Sequence, residues 1–153
     1  MSENGRKVLA RNRKALHEYH VVDTWEAGLA LRGPEVKSIR AGRASLAQAF
    51  ARVDNGEVWL HDMHVSPYDP ASRENPDPVR PRKLLMRRAE IRRLIGAVQE
   101  KGLTLIPLDL HLHRGFVKVT LALARGKKLY DKREDLKRRD AKREMERATR
   151  DHT

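Results

Sequence analysis

The chain of 153 residues has no cysteine. That removes disulfides, thiol nucleophiles and cysteine-ligated zinc, and it fits a reducing cytoplasm. The opening "MSENGRKVLARNRK" has no apolar core segment, so it does not read as a signal peptide. No run approaches the roughly 20 apolar residues needed to span a bilayer. There is no phosphate-cradling glycine loop, and Ser38 and Ser45 lack a nucleophile-elbow context. No internal repeat is visible. Acidic residues are in deficit, 21 against 33 Lys and Arg, which leaves a net charge of +12. Such an imbalance implies a polyanionic partner, either nucleic acid or an acidic membrane surface.

The length suits one domain with a real core. Residues 1–15 are polar and basic without periodicity, which predicts a flexible arm. A strand pattern begins at His17. Tyr19, Val21, Trp25, Ala27, Leu29 and Leu31 share one parity, interrupted by Asp23. "RGPEVKSIRAG" predicts a short helix: Pro34 suits its start, and Gly42 can take a left-handed cap. Asp54-Asn55-Gly56 between β-rich runs predicts a tight hairpin. Residues 66–82 hold five of the seven prolines and form a long exposed loop. "RKLLMRRAEIRRLIGAVQEKG" carries Leu84, Leu85, Ile91, Leu94, Ile95 and Val98 at helical spacing, with Gly102 as the stop. Two strands follow, joined at "HRG". In the first the apolar parity shifts at Pro107, as at a bulge or an edge. In the second, Val117, Val119, Leu121 and Leu123 share a face. The body is therefore mainly β. Short strands with Gly-marked turns point to a small closed antiparallel barrel of the oligonucleotide-binding type.

The last stretch differs. Arg125 to Thr153 holds 12 Lys and Arg against 7 Asp and Glu, leaving +5, with few apolar residues. So little apolar surface does not offset an ordering cost of roughly 1–2 kcal/mol per residue. Glu134 and Arg138, Asp135 and Arg139, and Glu146 and Arg150 are nevertheless acid-before-base pairs four apart. Each supports a helix by about 0.2–0.5 kcal/mol. The expectation is a tail disordered alone and helical on a polyanion.

Catalytic and metal signals are weak. His111 and His113 lie two apart on one strand, and His61 and His64 form a looser pair. With no cysteine and no clear carboxylate partner, these read as surface histidines rather than ligands. Glu26, Glu35 and Glu57 read as exposed glutamates. RNA-type features are stronger. His17, Tyr19 and Trp25 offer stacking groups, with core packing favoured for Trp25 and equally open for Tyr19. Lys37 and Arg40 are three apart on one face of the short helix. In the tail, Lys127, Lys128, Lys132 and Arg133 suit phosphates, and Tyr130 suits an unpaired base. Asp131 is the odd member: a carboxylate in a phosphate-binding stretch needs a base amino group, a cation or an Arg.

In chain order, "NRKALHEYHV", "EAGLALRGPEVKSIRAGRASL", "NGEVWL", "PVRPRKLLMRRAEI", "KGLTLIPLDL" and "KVTLALARGKKLYDKRED" resemble the SmpB family, the SsrA-binding proteins of bacterial trans-translation. The resemblance spans residues 12–139. It implies an oligonucleotide-binding barrel with about three helices, no cofactor and no enzymatic activity. It also implies a cytoplasmic monomer that uses neither membrane nor small-molecule substrate. The implied partners are the transfer-RNA-like domain of transfer-messenger RNA (tmRNA) and the ribosome. The body would replace the missing anticodon arm, and the tail would enter an empty messenger channel at the decoding centre. Carried over by residue, the RNA-facing set of the body includes Tyr19, Glu26, Lys37, Leu85 and Arg87, with Lys83 in the same matched run and His17 and Arg40 beside it. In the tail the set is Gly126, Lys127, Lys128, Tyr130, Asp131, Lys132 and Arg133, with Arg138 and Arg139 following. The implied organisation is an arm over 1–15, an RNA-binding barrel over 16–124 and a basic tail over 125–153. The alternative is a generic ribosome-associated or assembly protein whose tail is a nonspecific basic anchor.

Overall fold

The computed structural model describes residues 6–69, 75–99 and 102–127. Its elements run β1 (Arg6–Arg11), α1 (Arg13–Glu18), β2 (Tyr19–Leu29), α2 (Gly33–Arg40), β3 (Ala44–Ser45), β4 (Phe50–Asp54), β5 (Glu57–His61), β6 (His64–Val65), β7 (Arg82–Leu85), α3 (Arg88–Val98), β8 (Leu103–His113) and β9 (Phe116–Gly126). The described chain is mainly β, with three helices and antiparallel pairing throughout.

The pairings form a circuit. From β9 they pass through β2, β7, β5 and β4 to β8, and β8 pairs again with β9. One edge of β8 follows β9 from Leu103↔Arg125 to His113↔Phe116. The other edge is shared: β1 takes Asp109 to His113, and β4 meets it only at Ala51↔Leu105. Two tight turns set the registers. Asn55 and Gly56 (φ 51° and 75°) join β4 to β5, and Arg114 and Gly115 (φ 54° and 83°) join β8 to β9. Both turns need a positive φ at two successive residues, which Asn-Gly supplies cheaply.

Strand alternation sorts β9 between two cores. Val117, Val119, Leu121 and Leu123 face the main core with Ile39 of α2, Leu94 of α3, Val58, Leu60, Leu84 and Leu110. Ala122 and Ala124 face the opposite way and meet Ala15 of α1 and Ile106. Small side chains there let the helix approach the sheet. Asn12 caps α1 with Oδ1 accepting from the Ala15 N–H at 3.1 Å, and its Nδ2 donates to the Pro107 carbonyl.

Three expectations are corrected. The segment 1–15 is not a flexible arm where it is described: Arg6–Arg11 pairs with β8, and Arg13–Glu18 is a helix. The strand expected from His17 starts at Tyr19. The helix expected from Leu84 starts at Arg88, because Arg82–Leu85 is a strand between β5 and β2. Leu84 points inward and Leu85 outward, the period of a strand. The bulges at Val21/Asp23 and Pro107/Asp109 lie where the apolar parity breaks.

A buried ion cluster joins α2 to the returning loop. Glu35, expected to be exposed, is buried. Arg82 is fully buried; its Nε meets Glu35 Oε2 at 2.5 Å, and its Nη1 and Nη2 donate to the carbonyls of Met63 (2.7 Å) and Pro78 (3.2 Å). Arg80 grips the same carboxylate through Nε at 3.1 Å and through Nη2. The Arg32 N–H donates to Glu35 Oε1 at 2.9 Å, closing the first turn of α2. Burial by itself would raise the Glu35 carboxyl, but these donors overcome it and the net shift is downward. Glu35→Ala strands the Arg82 charge in the interior. The expected loss is about 3–5 kcal/mol of unfolding free energy, measured by urea denaturation.

Candidate nucleic-acid interface

The outer face of β7 and the start of α3 form one wall of an open groove of about 740 Å³. Glu26, Lys83, Leu85 and Arg87, four of the residues expected to face RNA, line it together. Gly28, Asn55, Gly56, Glu57, Arg88, Glu90 and Lys118 complete much of the rest. Leu85 is 51% exposed, so its side chain is not part of the core. Its place depends on Gly28, which pairs with it across β2 and β7. A Cβ at Gly28 would sit 3.2 Å from Leu85 Cβ, a tight contact, so glycine leaves Leu85 its room there.

The groove mixes signs, but its acids are engaged within the protein. Glu57 Oε1 accepts from Lys83 Nζ at 2.9 Å. Glu90 Oε1 accepts from the Arg87 N–H at 3.1 Å and closes the first turn of α3. Glu26 is held by three groups: His113 Nδ1 lies 2.9 Å from Oε1, and His111 Nε2 and Arg6 Nη2 lie 2.8 and 3.3 Å from Oε2. Arg88 and Lys118 add cationic groups to the lining.

The other expected residues stand elsewhere. Lys37 and Arg40 are exposed on α2, and Lys37 Nζ lies 5.5 Å from the centre of the Tyr68 ring. His17 is exposed at the end of α1, and Tyr19 is half-buried against the small second core. Trp25 packs against the main core. Tyr19 pairs with Gly126, and Lys127 Nζ donates to the Leu16 carbonyl at 3.2 Å. So the tail leaves the sheet beside His17 and Tyr19. Lys128, Tyr130, Asp131, Lys132, Arg133, Arg138 and Arg139 lie outside the described residues, as does the helix expected of the bound tail.

His111 corrects an expectation. It is not a surface histidine but is buried, with Asp109 Oδ1 2.7 Å from Nδ1 and Glu26 on the other nitrogen. Thr120 Oγ1 donates to the same Asp109 oxygen at 2.8 Å. The carboxylate partners that the sequence did not reveal come from β2 and from the same strand. His61 stacks on Phe50 at 5.2 Å rather than joining His64. Among the described residues, no group of three or more His, Asp or Glu is arranged to hold a metal ion, and no helix is long and apolar enough to cross a membrane.

The family model described as SmpB protein matches residues 9–151. The chain is similar to the SsrA-binding protein of Bacillus subtilis (strain 168), with 58% identity over 99% of this chain and 97% of that one. It is 56% identical to the SsrA-binding protein of Carboxydothermus hydrogenoformans, over 94% and 97% of the two chains. Among solved structures, a chain described as "tmRNA-SmpB: a journey to the center of the bacterial ribosome" matches with a TM-score of 0.66 and 50% identity. That match covers 76% of this chain and 82% of the other.

Burial tends to raise the Glu26 carboxyl, but the hydrogen bonds with His113 and His111 and the charge of Arg6 outweigh it and bring it from 4.5 down to about 2. A depressed carboxyl stabilises the fold above its unfolded value, and that contribution fades as pH falls through the folded value. The stability advantage of the wild type over Glu26→Gln is therefore expected to shrink as pH falls from about 4.5 to about 2. Urea midpoints of the two proteins across that window measure it; a constant difference would contradict the arrangement.

Proposed function

The chain belongs to the SmpB family, and from that footing we propose that it binds the transfer-RNA-like domain of tmRNA (SsrA) and delivers it to stalled ribosomes for trans-translation. The observation that carries this reading is the family match across residues 9–151, nearly the whole chain. The groove agrees with it chemically. Lys83, Leu85 and Arg87 share one open face with Arg88 and Lys118, in a protein of net charge +12.

In this reading the closed circuit of strands is a barrel of the oligonucleotide-binding type, and the protein works by binding, without catalysis. A rigid sheet with a cationic groove recognises folded RNA by shape and phosphate, because A-form helices hide their base edges in a narrow major groove. Glu26, Lys83, Leu85 and Arg87 form the groove contact. Lys37 and Arg40 offer a second cationic strip on α2, and His17 and Tyr19 flank the exit of the tail. Gly126 and Lys127 anchor the tail at the sheet edge, and beyond them the basic tail follows the empty messenger channel toward the decoding centre. Lys128, Lys132, Arg133, Arg138 and Arg139 meet phosphates there, Tyr130 stacks, and Asp131 holds a polar group or cation.

Two measurements test the proposal. Binding of the full chain to tmRNA and to a size-matched RNA is compared over a salt series. Log affinity falls linearly with log salt for both RNAs, in proportion to the phosphates neutralised. A preference for tmRNA is expected to persist at high salt, and its disappearance would favour a nonspecific basic anchor. Separately, a version with residues 128–153 scrambled at constant composition is expected to keep tmRNA affinity and lose peptide tagging on stalled ribosomes. Normal tagging by the scrambled chain would remove the sequence-specific role of the tail.

A further inference from the structure

The acids lining the groove present a problem, since an unpaired carboxylate repels RNA phosphate. Glu57 and Glu90 are answered by Lys83 and by a helix N–H. Glu26 is answered differently, by two imidazoles on one strand. Four strands surround them. β1 contributes Arg6, β2 Glu26, β8 Asp109, His111 and His113, and β9 Thr120 and Lys118, the last paired in register with His111.

His111 is the buried member, at 2% exposure. Carboxylate oxygens lie within 2.8 Å of both its ring nitrogens. The ring is thus tied to a carboxylate at each end. Asp109, held in turn by Thr120, fixes the far end of the ring. The near end then fixes Glu26. His113 takes the other Glu26 oxygen from a position 25% exposed. A carboxylate has about four acceptor sites. Three contacts come from the protein, which leaves room for one more donor from the groove side.

We infer that His111 and His113 are positioning residues for RNA binding: His111, braced by Asp109 and Thr120, and His113 together hold the Glu26 carboxylate in one orientation at the groove. The carboxylate is thereby presented to an RNA hydroxyl or amino group as a fixed acceptor, not as a free charge among phosphates. The inference rests on the reading of the groove as an RNA site.

The test is a double-mutant cycle on the full chain with tmRNA. His113→Gln, Glu26→Gln and the pair are compared with the wild type, and His111→Gln is added if it remains folded. Each single change is expected to weaken binding roughly tenfold. The pair is expected to weaken it no more than Glu26→Gln alone, because the histidine acts through that carboxylate. Additive losses, or wild-type affinity in His113→Gln, would overturn the inference. A second readout needs no RNA: the carboxyl carbon of Glu26, followed by NMR, should titrate near 2 in the wild type and at higher pH in His113→Gln. An unmoved titration would also overturn it. If the wild type shows no preference for tmRNA, the groove reading itself falls, whereas a shifted carboxyl titration would still stand as a measurement of the histidine–glutamate coupling.

Discussion

The architecture depends on one buried carboxylate. Glu35 collects Arg80, Arg82 and the backbone of Arg32 at a point where three pieces of chain meet. α2 begins there, the proline-rich loop ends there, and β7 starts there. Without Glu35, Arg82 would carry an unpaired charge in the interior, and the loop's return would rest on the bonds of Arg82 and the Val65 N–H to the Pro78 carbonyl. The guanidinium also donates to the Met63 carbonyl and shares the Pro78 carbonyl with the Val65 N–H, so it ties the loop backbone to β6. The groove inherits this precision. Lys83 and Leu85 follow Arg82 directly on β7, and their outward aim is set by the inward aim of Arg82 and Leu84.

Local chemistry was legible where a few neighbouring residues decide the outcome. Asn55-Gly56 and Arg114-Gly115 specified two hairpins, because a two-residue turn with positive φ has few competitors. The bulge at Pro107 followed from a break in parity. α2 followed from Pro34 and Gly42. Misreadings arose where two periods fit the same letters. Leu84 and Leu85 continue the stripe of α3 at helical spacing, yet they alternate in a strand, and a four-residue strand is too short to show its own period. α1 has one buried residue, Ala15, so it has no stripe at all. Its available signal was Asn12 as a cap and the alanines at 122 and 124, which leave a shallow seat on β9.

Polar burial was the least legible feature. Glu35 and His111 look like ordinary surface residues because the charged partners that complete their burial lie far away in sequence: Arg80 and Arg82 for one, Glu26 for the other. The near partners, the Arg32 N–H and Asp109, do not by themselves signal burial. The groove was partly readable, since Glu26, Lys83, Leu85 and Arg87 were expected to face RNA and are found side by side. Their expectation came from family likeness, not from spacing. Glu26 and Lys83 lie in different strands, and only the circuit of β2, β7 and β5 brings them together.

The pairing of β2 with β9 has a consequence for how the protein is made. Tyr19 lies opposite Gly126, so the circuit closes between nearly the first and nearly the last of the described residues. During synthesis from the N-terminus, β2 has one neighbouring edge unfilled until almost all of that chain exists. The local hairpins can form as they emerge, but the ladder that joins the two long strands must wait. Contacts of such wide sequence separation make folding slow relative to stability. The nascent sheet therefore carries an open edge until β9 has been made.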